Sequence, residues 1–111
     1  MIPFNKASIS ELEKVYLLDA LQNSKLSGDG KYTMRVYEQL RKRLGLENVL
    51  LTTSGTTALE MASLLIDLQP GDEVIVPSFT FSSTVNAFLL RGAKPVFCDI
   101  KYSDGTIDES Q

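Results

Sequence analysis

Apolar positions in the first part of the chain recur at helical spacing. Leu12, Val15, Tyr16 and Leu18 fall mostly on one side of a segment over residues 8–23. Ser10 with Glu13 makes a capping box at its start, and Ser8 with Glu11 fits the same motif, so two starts remain open. The stretch SGDGKYT (27–33) is polar and glycine-rich and reads as a loop. Val36, Tyr37, Leu40 and Leu44 then form one stripe of a second helix, Thr33 to Leu44, with Gly45 placed as its C′ residue.

Beyond Gly45 the period changes. NVLLT (48–52) is a short apolar run of the kind that forms a buried strand. Thr57 to Leu68 returns to helical spacing, with Ala58, Leu59, Ala62, Leu65 and Ile66 on one side. QPGDE (69–73) is a turn, VIVP (74–77) a β-branched strand, Ser82 to Arg91 a helix ending at Gly92, and PVFCDI (95–100) another strand. The predicted order is αα-βαβαβ. Strands alternating with helices of about ten residues predict an α/β fold with parallel strands and flanking helices. The last residues, KYSDGTIDESQ, are polar and read as a turn leading towards another helix. Three parallel strands make a thin sheet, so the expectation is the opening portion of a larger α/β domain.

Size and charge narrow the possibilities. With 111 residues the chain is one domain at most, and no repeat, low-complexity tract or linker interrupts it. The net charge of -3 argues against sequence-independent binding to nucleic acid, which needs a basic face. Arg41, Lys42 and Arg43 are the only basic run, and on a helix they read as a solvated face. A single cysteine, Cys98, excludes an internal disulfide and reads as a small apolar residue. The chain has no histidine, which removes the usual metal sites and catalytic triads. No apolar stretch approaches the roughly 20 residues that cross a bilayer. The start lacks the features of a secretory signal, so no membrane is expected and a cytoplasmic location is the default.

Two loops follow predicted strands, at the carboxyl ends where ligands sit in open α/β sheets. The first is TTSGTTAL (52–59). Gly55 permits close backbone approach, the following helix start offers free N–H groups, and Ser54, Thr56 and Thr57 add hydroxyls. Together they make a cup suited to one phosphate. Thr57 with Glu60 is also a capping box, so an ordinary connection stays open. The second loop is PSFTFSSTVNAF (77–88), with Phe79 and Phe81 ahead of a hydroxyl-rich helix start. Such rings suit stacking on a flat ligand ring, or burial in the core or against a second subunit. SGDGKYT follows a helix and lacks the third glycine of a dinucleotide fingerprint, and no complete P-loop is present.

These stretches, with MIPFN at the start, the long run from VLLTTSGTTALEMA to AKPVFCDI, and TIDES near the end, resemble the N-terminal part of the DegT/DnrJ/EryC1/StrS sugar aminotransferases. The resemblance covers essentially the whole chain. It implies the N-terminal portion of the large domain of the fold-type I, aspartate-aminotransferase-like fold of pyridoxal 5'-phosphate (PLP) enzymes, spanning residues 1–111. It implies PLP as cofactor, held at its phosphate by Gly55, Thr56 and Thr57 and stacked at its ring by Phe81. The loop from Gly28 to Tyr32 resembles a segment that in the family lies near the active site at a dimer interface. The implied reaction moves an amino group, from glutamate, to a nucleotide-linked 4-keto-6-deoxy sugar for cell-surface polysaccharide or lipopolysaccharide. The substrate suggested is dTDP-4-keto-6-deoxyglucose, of enterobacterial common antigen synthesis. A homodimer is implied as well.

No residue of this chain takes a catalytic role under that resemblance. The family's cofactor-linked lysine and the aspartate paired with the pyridine nitrogen come later in its sequence, and Lys94, Lys101 and Asp99 do not match them. A second reading therefore stands beside the first: a non-catalytic chain acting as a phosphate-binding or interaction module.

Overall fold

The computed structural model describes residues 2–111. Helix α1, Glu11–Gln22, starts at the capping box of Ser10 and Glu13, which selects one of the two predicted starts. The Ser10 N–H donates to the Glu13 carboxylate at 2.8 Å, and Ser10 Oγ accepts from the Leu12 N–H at 3.3 Å. Helix α2, Lys31–Leu44, begins two residues before the predicted Thr33 and stops at Gly45, whose φ of 65° is left-handed. The two helices are tied together by Asp19, which accepts from Lys31 Nζ at 2.9 Å and from the Tyr32 hydroxyl at 2.7 Å. The Tyr16 and Tyr32 rings meet with centroids 5.3 Å apart, and the Arg35 guanidinium lies over both. Neither helix contains a fully buried residue, so these polar and ring contacts carry the pairing.

This helical pair belongs to a unit that ends at Leu51; a second unit comprises Thr52–Gln111. The predicted strand over residues 48–52 does not form. A strand needs a partner for its ladder of backbone hydrogen bonds, and among the described residues none pairs with this run.

The second unit runs α3 (Gly55–Leu65), β1 (Glu73–Pro77), α4 (Ser82–Leu89) and β2 (Lys94–Cys98). The strands are parallel, in register from Glu73 opposite Lys94 to Pro77 opposite Cys98. The α/β class is as expected, but the sheet has two strands where three were predicted. Helix α3 starts at Gly55, not Thr57, and α4 ends at Leu89, not Arg91. The polar residues after β2 form the expected turn, closed by an antiparallel bridge between Ile100 and Ile107.

The core of this unit is small: Leu68, Val76, Ala87 and Ala93, with Ser63 donating its hydroxyl to the Glu60 carbonyl at 2.7 Å. Helix α3 packs on α4, and α4 packs on both strands. The turns entering the two strands are joined, because the Gly71 N–H donates to the Gly92 carbonyl at 2.9 Å. Gly92 is needed there. Its φ is 78°, and a Cβ on it would lie 3.0 Å from Cβ of Pro70.

Candidate cofactor site at the carboxyl edge of the strands

The joined turns fix which end of each helix faces which edge of the sheet. The C-terminal ends of α3 and α4 both lead into turns at the amino edge of the strands. A helix of 11 residues and a strand of 5 are each about 16 Å long. The first turns of α3 and α4 therefore both lie towards the carboxyl edge. Residues 54–57 and 78–83, far apart in sequence, are directed to one side of the unit by the joined turns and by the packing of α3 on α4.

At the start of α3, Ser54 is the N-cap, in extended conformation. Its Oγ accepts from the Thr57 N–H at 3.1 Å and lies 3.0 Å from Thr57 Oγ1. The Ser54 carbonyl accepts from the Ala58 N–H at 3.1 Å and from Thr52 Oγ1 at 2.8 Å. The capping box predicted for Thr57 and Glu60 is absent. Five hydroxyl residues flank Gly55 within 52–57, and spacing alone does not choose among the capping registers they offer. Once Ser54 caps the helix, the N–H groups of Gly55 and Thr56 have no acceptor among the described residues. They are the free donors of this helix start. Nothing lies within 4 Å of where a Cβ on Gly55 would be, so the space beside this residue is open.

The predicted trio thus divides. Gly55 and Thr56 present free backbone amides. Thr57 has its amide occupied and offers its hydroxyl, already paired with Ser54. The arrangement suits an oxyanion group: two donors aligned with the positive end of a helix dipole, beside hydroxyls that reorient at little cost.

Phe81 is the residue before α4 and acts as its N-cap without a side-chain bond. Phe79 is 79% exposed and Phe81 is 77% exposed, so within this chain neither ring packs into the core. An exposed ring at a helix start can present a face to a planar ligand. Two features of this loop escaped the sequence pattern. Thr80 Oγ1 donates to Thr84 Oγ1 at 3.1 Å, and Ser78 Oγ donates to Asp99 Oδ1 at 3.2 Å.

Lys94 and Lys101, which do not match the family's lysine, are both held away from this edge or paired. Lys94 opens β2 at the amino edge, about 16 Å of strand away. Lys101 is paired with Glu109, whose carboxyl is held below its usual range chiefly by the Lys101 hydrogen bond. The loop from Gly28 to Tyr32 belongs to the other unit, where Gly30 precedes α2 and Tyr32 is bound to Asp19.

Comparison with known proteins gives a consistent result. Residues 7–111 match the DegT/DnrJ/EryC1/StrS aminotransferase family. GDP-perosamine synthase of Vibrio cholerae is 36% identical over 101 residues, which are 91% of this chain and 28% of that protein. The UDP-4-amino-4-deoxy-L-arabinose–oxoglutarate aminotransferase of Shewanella sediminis is 32% identical over 99 residues, 89% of this chain and 25% of that protein. Among solved structures, the E. coli GDP-4-keto-6-deoxy-D-mannose-3-dehydratase with bound hydrated PLP superposes with a TM-score of 0.80. It is 29% identical, with 96% of this chain and 28% of that one covered. The chain spans about a quarter of the length of the curated relatives it matches.

Proposed function

The chain belongs to the DegT/DnrJ/EryC1/StrS aminotransferase family, and on that basis we propose that it is the N-terminal segment, residues 1–111, of the large domain of a PLP-dependent nucleotide-sugar aminotransferase. Its part is to seat the cofactor. The amides of Gly55 and Thr56 and the hydroxyl of Thr57 bind the phosphate, and the face of Phe81 packs on the pyridine ring. The observation that carries this reading is the pair of unoccupied α3 amides on the same edge of the sheet as an exposed Phe81. When bound, the cofactor supplies the electron sink that lets an amino group be exchanged. Fixing the phosphate at one point and the ring at another sets the cofactor's position and tilt before any reacting group arrives.

The relatives support a nucleotide-sugar substrate. Their names carry GDP- and UDP-linked sugars, and another, of Saccharopolyspora spinosa, is a dTDP-4-dehydro-2,3,6-trideoxy-D-glucose 4-aminotransferase. We propose a nucleotide-linked 4-keto-6-deoxy sugar as acceptor, glutamate as donor, and a homodimer working in the cytoplasm towards cell-surface polysaccharide. The sugar named by the sequence resemblance, dTDP-4-keto-6-deoxyglucose, is one member of that class. The product of the native gene, mixed with glutamate, is expected to change the absorbance of its cofactor and to recover it on adding the keto sugar. No change with any amino donor overturns the aminotransferase reading.

A second reading is favoured by the placement of Lys94 and Lys101. The 111-residue chain alone binds PLP non-covalently and performs no transfer. Borohydride then traps nothing on it, whereas an adduct on one of its lysines contradicts this.

A further inference from the structure

We propose that Asp99 is a positioning residue for the aromatic loop between β1 and α4, acting through Ser78. Its consequence for cofactor binding rests on the seat proposed above. Phe79 and Phe81 are exposed, so burial does not hold this loop. What holds it is polar. Ser78, the first loop residue, is tied twice to the end of β2: its N–H donates to the Cys98 carbonyl at 2.8 Å, and its Oγ donates to Asp99 Oδ1 at 3.2 Å. At the far end, Thr80 is held to Thr84 in the first turn of α4. Phe81 lies between a clamp on the strand and a clamp on the helix.

Asp99 is itself braced from behind. Its carbonyl accepts from the Asp108 N–H at 2.8 Å, and Cys98 Sγ donates to the Asp108 carbonyl at 3.3 Å. Ile100 bridges Ile107, and the Lys101 N–H donates to the Thr106 carbonyl at 2.8 Å. The turn is closed by Asp104, whose carboxylate accepts from the Thr106 N–H at 2.9 Å. The segment 100–108 thus folds back and fixes the backbone from which Asp99 reaches Ser78. A cavity of about 290 Å³ lined by Ser78, Asp99, Ile100 and Tyr102 opens at this junction. With space there, packing does not fix the Ser78 side chain; the Cys98 carbonyl holds its backbone and the Asp99 carboxylate holds its hydroxyl.

The test uses the 111-residue chain and the variants Asp99→Ala, Ser78→Ala and Asp99→Asn. Amide hydrogen exchange is read at Ser78 and along α3, and PLP affinity by equilibrium dialysis. Loss of one such bond is expected to speed exchange at Ser78 about fivefold and to weaken PLP by a similar factor. Asp99→Asn, which keeps an acceptor oxygen, restores both, and α3 exchange stays as in the unmodified chain. Ser78→Ala removes only the donor hydroxyl and decides the matter if Asp99→Ala fails to fold. Unchanged Ser78 exchange in the Ala variants, no rescue by Asn, or equal loosening of α3 overturns the proposal. Faster Ser78 exchange with rescue but no change in PLP affinity supports the positioning role and counts against the Phe81 seat instead.

Discussion

Replacing Ser54 separates the cap of α3 from the phosphate site built on it. Ser54→Ala removes the oxygen that accepts from the Thr57 N–H at 3.1 Å. Loss of such a cap costs about 1 kcal/mol, a factor of about five in local opening. The α3 amides are expected to exchange about fivefold faster, while β1 and β2 change little. Ser54→Asp keeps a capping oxygen and places a negative charge at the positive end of the helix, so α3 stays as stable as before or gains. The same charge faces any bound phosphate. At about 4 Å in water two unit charges interact by about 1 kcal/mol, so a dianion is opposed by about 2 kcal/mol, roughly thirtyfold in affinity. The two variants thus act in opposite directions: Ala weakens the helix, Asp weakens the ligand. Exchange read by NMR, with PLP titrated into each variant, tests both arms. Unaltered α3 exchange in Ser54→Ala refutes the capping role. PLP affinity undiminished in Ser54→Asp refutes phosphate binding at this helix start.

Other outcomes follow from the same structure. Phe81→Ala should weaken PLP about threefold to tenfold, the worth of one ring contact, and leave thermal unfolding in place because the ring is exposed; a large drop in stability would show instead that the ring is structural. Gly92→Ala combines a left-handed φ with a close contact to Pro70 and should destabilise by more than about 1 kcal/mol, whereas Gly45→Ala, left-handed in open space, should cost less; urea titration of the two variants checks the order. The Asp19–Tyr32 contact should depend on pH at both ends. The Tyr32 and Lys31 hydrogen bonds lower the Asp19 carboxyl, so its contribution is full above the ordinary carboxylate range and is lost as pH falls through the depressed value. The bond to Asp19 raises the Tyr32 hydroxyl, so its contribution is full below the ordinary tyrosine range and is lost as pH rises through the elevated value. Tyrosinate absorbance and α1–α2 cross-peaks followed across pH should show one plateau between these limits, and a contact that weakens inside it contradicts the assignment.

Much of this was legible in the residues. Ser10 with Glu13 was one of the two starts offered for α1, Gly45 marked the end of α2, and the β-branched run at 74–77 the strand β1. The candidate site was legible because small hydroxyl residues and two aromatics sit directly after apolar runs. What failed depended on contacts that spacing does not encode. Residues 48–52 are apolar enough for a strand, yet a strand exists only with a partner, and the pattern cannot supply one. The pattern pointed to Thr57 with Glu60 as the cap, and the backbone places Ser54 there instead. That choice decided which amides are free. The Ser78–Asp99 bond spans 21 residues and joins two strand ends, so it is visible only once the parallel pairing is known.

The account rests on the amides of Gly55 and Thr56 as the phosphate donors. The direct measurement is a titration of the isotope-labelled 111-residue chain with PLP, followed by amide chemical shifts. The predicted result is saturable movement of the Gly55 and Thr56 amides, with smaller changes at Phe81, reproduced in part by inorganic phosphate. Movement confined to other residues, or none at Gly55 and Thr56 at saturating PLP, contradicts it.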